Sequence, residues 1–215
     1  MKFLSAAVPA ICFAFMPLTA GASAILLNEG PGVLSSVGGG PPGSTHVTYG
    51  YDFTVGSTSI LVTSLGLWDA NANGLTDAHT VRLWTISGAL VASVSVSSGT
   101  AAELVGSFRY STLSVPVTLY AGQQYVLGAS YPISGTDQFI QNVVNPQNFD
   151  GAVSSGTARD VVGLDVFPDH TNPGMYSFVG PNAQFKALPE PSAALLMLSF
   201  AAFLGSCRKR GLKPD

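Results

Sequence analysis

From His46 to Lys186 short runs rich in Val, Thr, Ser, Leu and aromatic residues are broken at intervals of about ten residues by Gly, Pro or Asn, and none of them keeps a helical period. That spacing predicts strands over His46–Val55, Ile60–Trp68, Thr80–Ile86, Leu90–Val96, Glu103–Tyr110, Val115–Leu119, Gln124–Ser130, Val161–Phe167 and Ala183–Ala187. Alternation is clearest in "LVASVSVSS". There Leu90, Ala92, Val94 and Val96 share one parity and Ser93, Ser95 and Ser97 the other, with Val91 out of step. One dry and one wet face is the signature of an antiparallel sheet with one solvated side. Asn73-Gly74 and Ser87-Gly88 read as hairpin signals, and Ala121-Gly122 separates two apolar runs. The expected fold is all-β: a jelly-roll-like antiparallel β-sandwich of about eight or nine strands. Residues 28–44, with "GPG" and "GGGPPG", read as a flexible lead-in, and residues 134–163 as a long irregular excursion.

Both ends of the chain carry a different pattern. Met1-Lys2, the apolar run Phe3–Met16 and the small residues Ala20–Ala24 have the three parts of a secretory signal peptide. Pro9 and Pro17 interrupt a stretch already too short to span a bilayer. At the other end Pro189-Glu190-Pro191 precedes the apolar run Ser192–Ser206 and the cluster Arg208-Lys209-Arg210. A helix of fifteen residues is about 22 Å long, against roughly 30 Å of hydrocarbon, so this segment spans only marginally. Its basic end would stay cytoplasmic by the positive-inside rule, leaving the triplet at the outer interface. The expected organisation is a signal peptide at 1–24, a lead-in at 25–45, the β-sandwich at 46–187 and a C-terminal sorting segment at 188–215. A signal helix and a short transmembrane helix thus flank the body.

Composition changes this picture in two respects. The only cysteines, Cys12 and Cys207, fall in the two end segments, so no disulfide holds the body together. Between residues 25 and 187 ten acids face Arg82, Arg109, Arg159 and Lys186, a balance of −6. A sparse acidic surface without a basic stripe excludes nucleic acid and polyanions as charge-driven partners and leaves cations or neutral glycans.

The most chemical stretch is "WDANANGLTDAH", Trp68–His79. Asp69, Asn71, Asn73 and Asp77 present side-chain oxygens, Leu75 offers a carbonyl and Gly74 permits a sharp turn, at the spacings of a calcium loop. Thr80 stands where the bidentate acid of an EF-hand belongs, so the implied affinity is weak. The same residues also suit a tight Asn-Gly turn without an ion. "FPDHTNPG" brings Asp169, His170 and nearby Asp165 together as a second, weaker metal candidate. Trp68 and Trp84, in apolar strands, are expected in the core, while Tyr131, Phe139, Phe149 and Tyr176 are candidates for stacking on a glycan. No Gly-x-Ser-x-Gly, His-Glu-x-x-His or phosphate-binding Gly-Lys-Ser/Thr occurs, which points away from an enzyme.

The triplet, apolar run and basic cluster, in that order at the C-terminus, resemble the PEP-CTERM sorting signal. The resemblance implies a secreted protein of an exopolysaccharide-producing Gram-negative bacterium. Its tail would be recognised and processed by an exosortase, a membrane-embedded cysteine-type transpeptidase. Here five residues, Gly211–Asp215, follow the basic cluster, where the signal usually ends. The body, through "GYDFTVGSTSILVTSLGLWD", "NGLTDAHTVRLW", "FRYSTLSVPVTLYAGQQYVLGASY" and "GPNAQF", is similar to an uncharacterised β domain common among such proteins, which implies fold and destination but no activity.

The sequence therefore supports three expectations. The first is a non-enzymatic envelope or matrix protein, exported, held transiently in the inner membrane, then sorted by exosortase to the cell surface and associated with exopolysaccharide or another neutral glycan. The second is a calcium-stabilised carbohydrate-binding module. The third is a secreted hydrolase acting on the matrix.

Overall fold

A computed structural model describes residues 24–26, 33–36, 42–142 and 149–188. These form fourteen strands: β1 (Ala24–Ile25), β2 (Val33–Ser36), β3 (His46–Val55), β4 (Ile60–Trp68), β5 (His79–Thr85), β6 (Leu90–Val96), β7 (Glu103–Val105), β8 (Phe108–Leu119), β9 (Gln124–Pro132), β10 (Gln138–Asn142), β11 (Val153–Val162), β12 (His170–Asn172), β13 (Ser177–Val179) and β14 (Pro181–Ala187). The strands pair antiparallel into a five-stranded sheet, β1-β14-β4-β8-β7, a six-stranded sheet, β12-β11-β3-β9-β5-β6, and a three-stranded sheet, β13-β10-β2. The arrangement is sandwich-like. Among the described residues no helix is long and apolar enough to cross a membrane. Residues 1–23 of the expected signal peptide, Pro189-Glu190-Pro191, the apolar run 192–206 and Arg208-Lys209-Arg210 lie outside the described residues.

The strands with the strongest apolar patterning match expectation: β3, β4 and β6 have the predicted bounds, and β5 and β9 differ at their ends. The rest depends on the partner. Predicted strand Glu103–Tyr110 is cut by a hairpin at Gly106, whose φ of +61° is a left-handed value that glycine tolerates. Its second half continues through Pro116 to Leu119 as one long strand, absorbing the separately predicted Val115–Leu119. Residues 134–163 are not an irregular excursion, because they supply β10 and all of β11. The lead-in supplies β2, which pairs with β10, and Ala24, the last residue assigned to the signal peptide, lies in β1 beside β14. Residues 163–167, predicted to be strand, lie beyond the end of β11.

The discord at Val91 has a cause. Leu83 pairs with Ala92 but Trp84 pairs with Leu90, so Val91 is the extra residue of a β-bulge. A one-residue slip exchanges faces. Ala92 and Val96 are therefore buried, whereas Leu90 is 54% exposed on the face it shares with Trp84.

The core lies between the sheets. Tyr51, Phe53, Val81, Leu83, Leu127 and Ala129 come from the six-stranded sheet; Ile60, Val62, Leu65, Leu67, Phe108 and Phe185 come from the five-stranded one. Two hydrogen bonds join these layers: Tyr51 OH donates to the Pro181 carbonyl at 3.1 Å, and Ser111 Oγ donates to the Ser95 carbonyl at 2.9 Å.

Candidate functional site

The loop from Trp68 to His79 is not a hairpin. It carries the chain from β4, in the five-stranded sheet, to β5, in the six-stranded one. Asp69 is 1% exposed, and both of its carboxylate oxygens accept from the Gly74 N–H, at 3.1 and 2.9 Å. One of them also accepts from Arg109 Nε at 2.6 Å. The guanidinium donates further to the carbonyls of Thr100 and Ala102, at 3.1 and 3.0 Å, and to that of Ala72 at 3.4 Å. Arg109 is 4% exposed, so this is a buried, hydrogen-bonded charge pair of the kind that survives only with its donors and acceptors satisfied.

The pair organises the backbone. Asn71 and Ala72 have φ of +68° and +56° within the short 3-10 turn Ala70–Ala72. Asn tolerates the left-handed region through its short polar side chain; Ala does not, at a cost of order 1 kcal/mol. Ala72 is held there from both sides: its N–H donates to the Asp69 carbonyl at 3.0 Å while its own carbonyl receives Arg109. At Gly74, φ is +107° and a β-carbon would meet the Gly99 backbone at 3.0 Å. Glycine is required there for both reasons.

Of the five residues expected to cage calcium, Asp69, Asn71 and Asn73 border one cleft and Leu75 and Asp77 are not among its lining residues. Asp69 already faces a cation, Arg109. The Leu75 carbonyl accepts from Gly99 N at 2.7 Å in an isolated bridge. Asn71 and Asn73 are exposed, and the Asp77 carboxylate lies near Gly135. Among the described residues no three His, Cys, Asp or Glu side chains gather as a metal site. The second metal candidate is also separated: Asp165 pairs with Arg82 at 2.9 Å, and His170 pairs with Asp160 at 2.8 Å.

Asp137 is the residue that sequence reasoning missed. It stands just before β10 and reaches across to the loop, accepting from Thr76 N at 2.8 Å, Asp77 N at 2.9 Å and His79 Nε2 at 2.8 Å. Burial alone would raise its carboxyl pKa. The His79 hydrogen bond, the two backbone amides and the His79 charge outweigh burial and hold it below the ordinary value. His79 is buried, its Nδ1 lies 2.9 Å from the Ser130 carbonyl, and its ring packs on Tyr131 with centroids 4.9 Å apart. Nothing near Asp137 in the sequence marks it, because its partners lie about sixty residues earlier.

Between the two loops lies a cleft of about 150 Å3, lined by Asn71, Asn73, Thr76, Thr136, Asp137 and Gln138 together with the Asp69 region. Its wall is almost wholly polar, and the Thr136 and Thr76 hydroxyls are 3.0 Å apart at its rim. The aromatic residues do not line it. Trp68 and Trp84 are buried as expected, and Tyr131 and Phe139, expected on loops, are 0% and 1% exposed in the core. Phe149 is half-buried with its ring edge-on to Tyr51.

A second structured region lies on the outer face of the six-stranded sheet. Residues 163–168 cross it as a strap: the Gly163 carbonyl accepts from Thr48 Oγ1, Asp165 takes Arg82 and Ser130, and Phe167 packs edge-on to Trp84 at 5.9 Å. Beside it Asp52 accepts from Arg159 Nε at 2.6 Å and from Thr157 N at 2.9 Å.

Fold and site define a class: an all-β, sandwich-like domain whose charged groups brace loops and sheet faces. Residues 38–178 match DUF4082, a domain of unknown function, and the chain belongs to that family. No curated protein matches the chain. A solved chain from the structure of infectious bursal disease virus Gt strain is 13% identical, with a TM-score of 0.26. The alignment covers 87% of this chain and 46% of the viral one, so this chain spans less than half its length. At that TM-score the likeness carries no argument.

Proposed function

We propose that this is an exported, non-catalytic protein of the cell envelope or extracellular matrix, with a jelly-roll-like sandwich, sorted by an exosortase through a PEP-CTERM-type tail and associated with exopolysaccharide. The observation that carries the non-catalytic part is where the charges go. Arg82, Arg109 and Arg159, the only arginines among the described residues, are bound to Asp165, Asp69 and Asp52; His79 and His170 are bound to Asp137 and Asp160. These five pairs tie strands, strap and loops to one another, as befits a scaffold.

The sorting part is supported by the chain's exit from the body. Leu188 N donates to the Ser59 carbonyl at 2.9 Å, so the sandwich holds the chain up to the residue before Pro189-Glu190-Pro191. A recognition triplet directly after a folded edge, and before a marginal membrane segment, suits an enzyme cutting at the outer interface. Intact mass of the cell-associated and released protein, from hosts with and without the exosortase, tests this. The mature form is expected to lack Arg208–Arg210 only where the enzyme is present. Retention of those residues in both hosts refutes the sorting reading.

A further inference from the structure

We propose that the cleft between the Asn71–Thr76 loop and Thr136–Gln138 binds a neutral saccharide unit, the contact through which the body holds matrix polysaccharide. The inference rests on the matrix association proposed above and gives it a location.

The argument is one of charge and hydrogen-bonding complementarity. Two carboxylates border the cleft, and both are already engaged from behind: Asp69 is paired with Arg109, and Asp137 is hydrogen-bonded to His79 and to two backbone amides. A bare cation therefore meets no free pair of acids. No Lys or Arg lines the cleft, so an anion meets no counter-charge. What remains on the wall is dipolar: the carboxamides of Asn71, Asn73 and Gln138 and the hydroxyls of Thr76 and Thr136. Each of these groups both donates and accepts, the chemistry that ring hydroxyls of an uncharged sugar need. The volume, about 150 Å3, equals about five waters at roughly 30 Å3 each, and falls well below the roughly 300–1,000 Å3 of sites for drug-sized ligands. It suits a single ring or a chain end.

The walls are also pre-formed. Asp137 bridges the two loops through backbone amides, and the Arg109 clamp fixes Ala72 in a conformation it would otherwise avoid. Holding polar groups in place before the ligand arrives lowers the ordering cost of binding. Strain localised beside an open polar cleft is the pattern expected where geometry serves recognition.

The test is affinity electrophoresis of the full-length chain, in mild non-ionic detergent, through gels containing dextran, galactomannan, hydroxyethylcellulose or the polyanion alginate. Retardation is expected in at least one neutral gel, unchanged by EDTA, and absent in alginate. The double variant Asn73→Ala/Gln138→Ala should weaken it at least tenfold with an unchanged Tm. Ser114→Asp, on exposed β8, should leave it intact. Retardation in no neutral gel, equal retardation of the double variant, loss in EDTA, or equal retardation in alginate overturns the cleft assignment. Fractionation of the cell matrix separates this from the broader reading. Wild type and double variant equally present in that fraction would leave matrix association standing without the cleft, whereas absence of both would remove the association itself.

Discussion

Arg109 is the residue on which the candidate loop depends. Its guanidinium satisfies Asp69 and three carbonyls from two separate segments, in a site closed to water. Removing one member leaves the other charge buried alone, and Arg109→Leu or Asp69→Ala should each cost about 3–5 kcal/mol in denaturant unfolding. The double variant should be less destabilised than the two single losses summed, because neither orphan charge then remains. Additive losses would show that the pair is not coupled. With Arg109 on Asp69, millimolar calcium is expected to leave the Tm of the wild-type chain unchanged. A calcium-dependent rise in Tm abolished by Asp69→Ala would mean that the loop binds the ion through Asp69 despite its pairing with Arg109.

Asp137 makes a pH-dependent contribution whose sign follows from its depressed pKa. In the unfolded chain its carboxyl titrates near the ordinary value of 3.8, and in the folded chain lower. The stabilisation is therefore complete above about pH 4 and is lost as pH falls through the folded-state value. Asp137→Asn should flatten the acid limb of the stability curve below about pH 4 and cost roughly 1–3 kcal/mol at neutral pH. An acid limb identical to wild type would sink this account.

Among elements, the strap of residues 163–168 shows how a loop becomes structural. Its alternate residues Leu164 and Val166 are 54% and 43% exposed, while Gly163, Asp165 and Phe167 turn towards the sheet. Beneath it Gly128 makes room: a β-carbon there would sit 3.2 Å from both Trp84 and Thr48. Gly128→Val should push Trp84 and the strap outward at a cost of about 1–3 kcal/mol. The expected readouts are red-shifted tryptophan emission and chymotryptic cleavage at Leu164 or Phe167. Leu164→Ser, on the exposed side, should stay within about 0.5 kcal/mol of wild type. Resistance of the Gly128→Val chain to cleavage would show that the strap does not depend on that gap.

The same scale shows what local pattern can and cannot carry. Strands β3, β4 and β6 were legible because their residues alternate or run apolar over ten, nine and seven positions, a signal that needs no partner. β12 and β13 are three residues each, too short to show a period. The 163–167 stretch has strand-like alternation, but its inward groups bond side chains of the sheet below, so it forms a strap and no ladder. Leu90 misled for another reason: the bulge at Val91 arises from pairing with β5 and cannot be seen in β6 alone.

For the whole molecule, the ion pairs divide the labour. Three arginines and two histidines brace the two larger sheets and the loops that rim the cleft, whose wall carries amide and hydroxyl side chains and no Lys or Arg. An acidic body that presents a neutral cleft suits a neutral glycan better than a cation or polyanion, which joins the proposed destination to the proposed contact.

The sequence by itself determined the all-β class, the bounds of the well-patterned strands and the cysteine-free body, and it alone carries the proposal of export and sorting. All of these rest on contiguous residues, where periodicity and composition act locally. Only the tertiary structure decided which sheet each strand joins, that Asp69 meets an arginine, and that Asp137 closes the loop. Those pairings join residues 40, 58 and 130 positions apart, for Asp69–Arg109, His79–Asp137 and Tyr51–Pro181. A buried charge takes whatever partner the fold brings to it, and no local pattern of side chains encodes that choice.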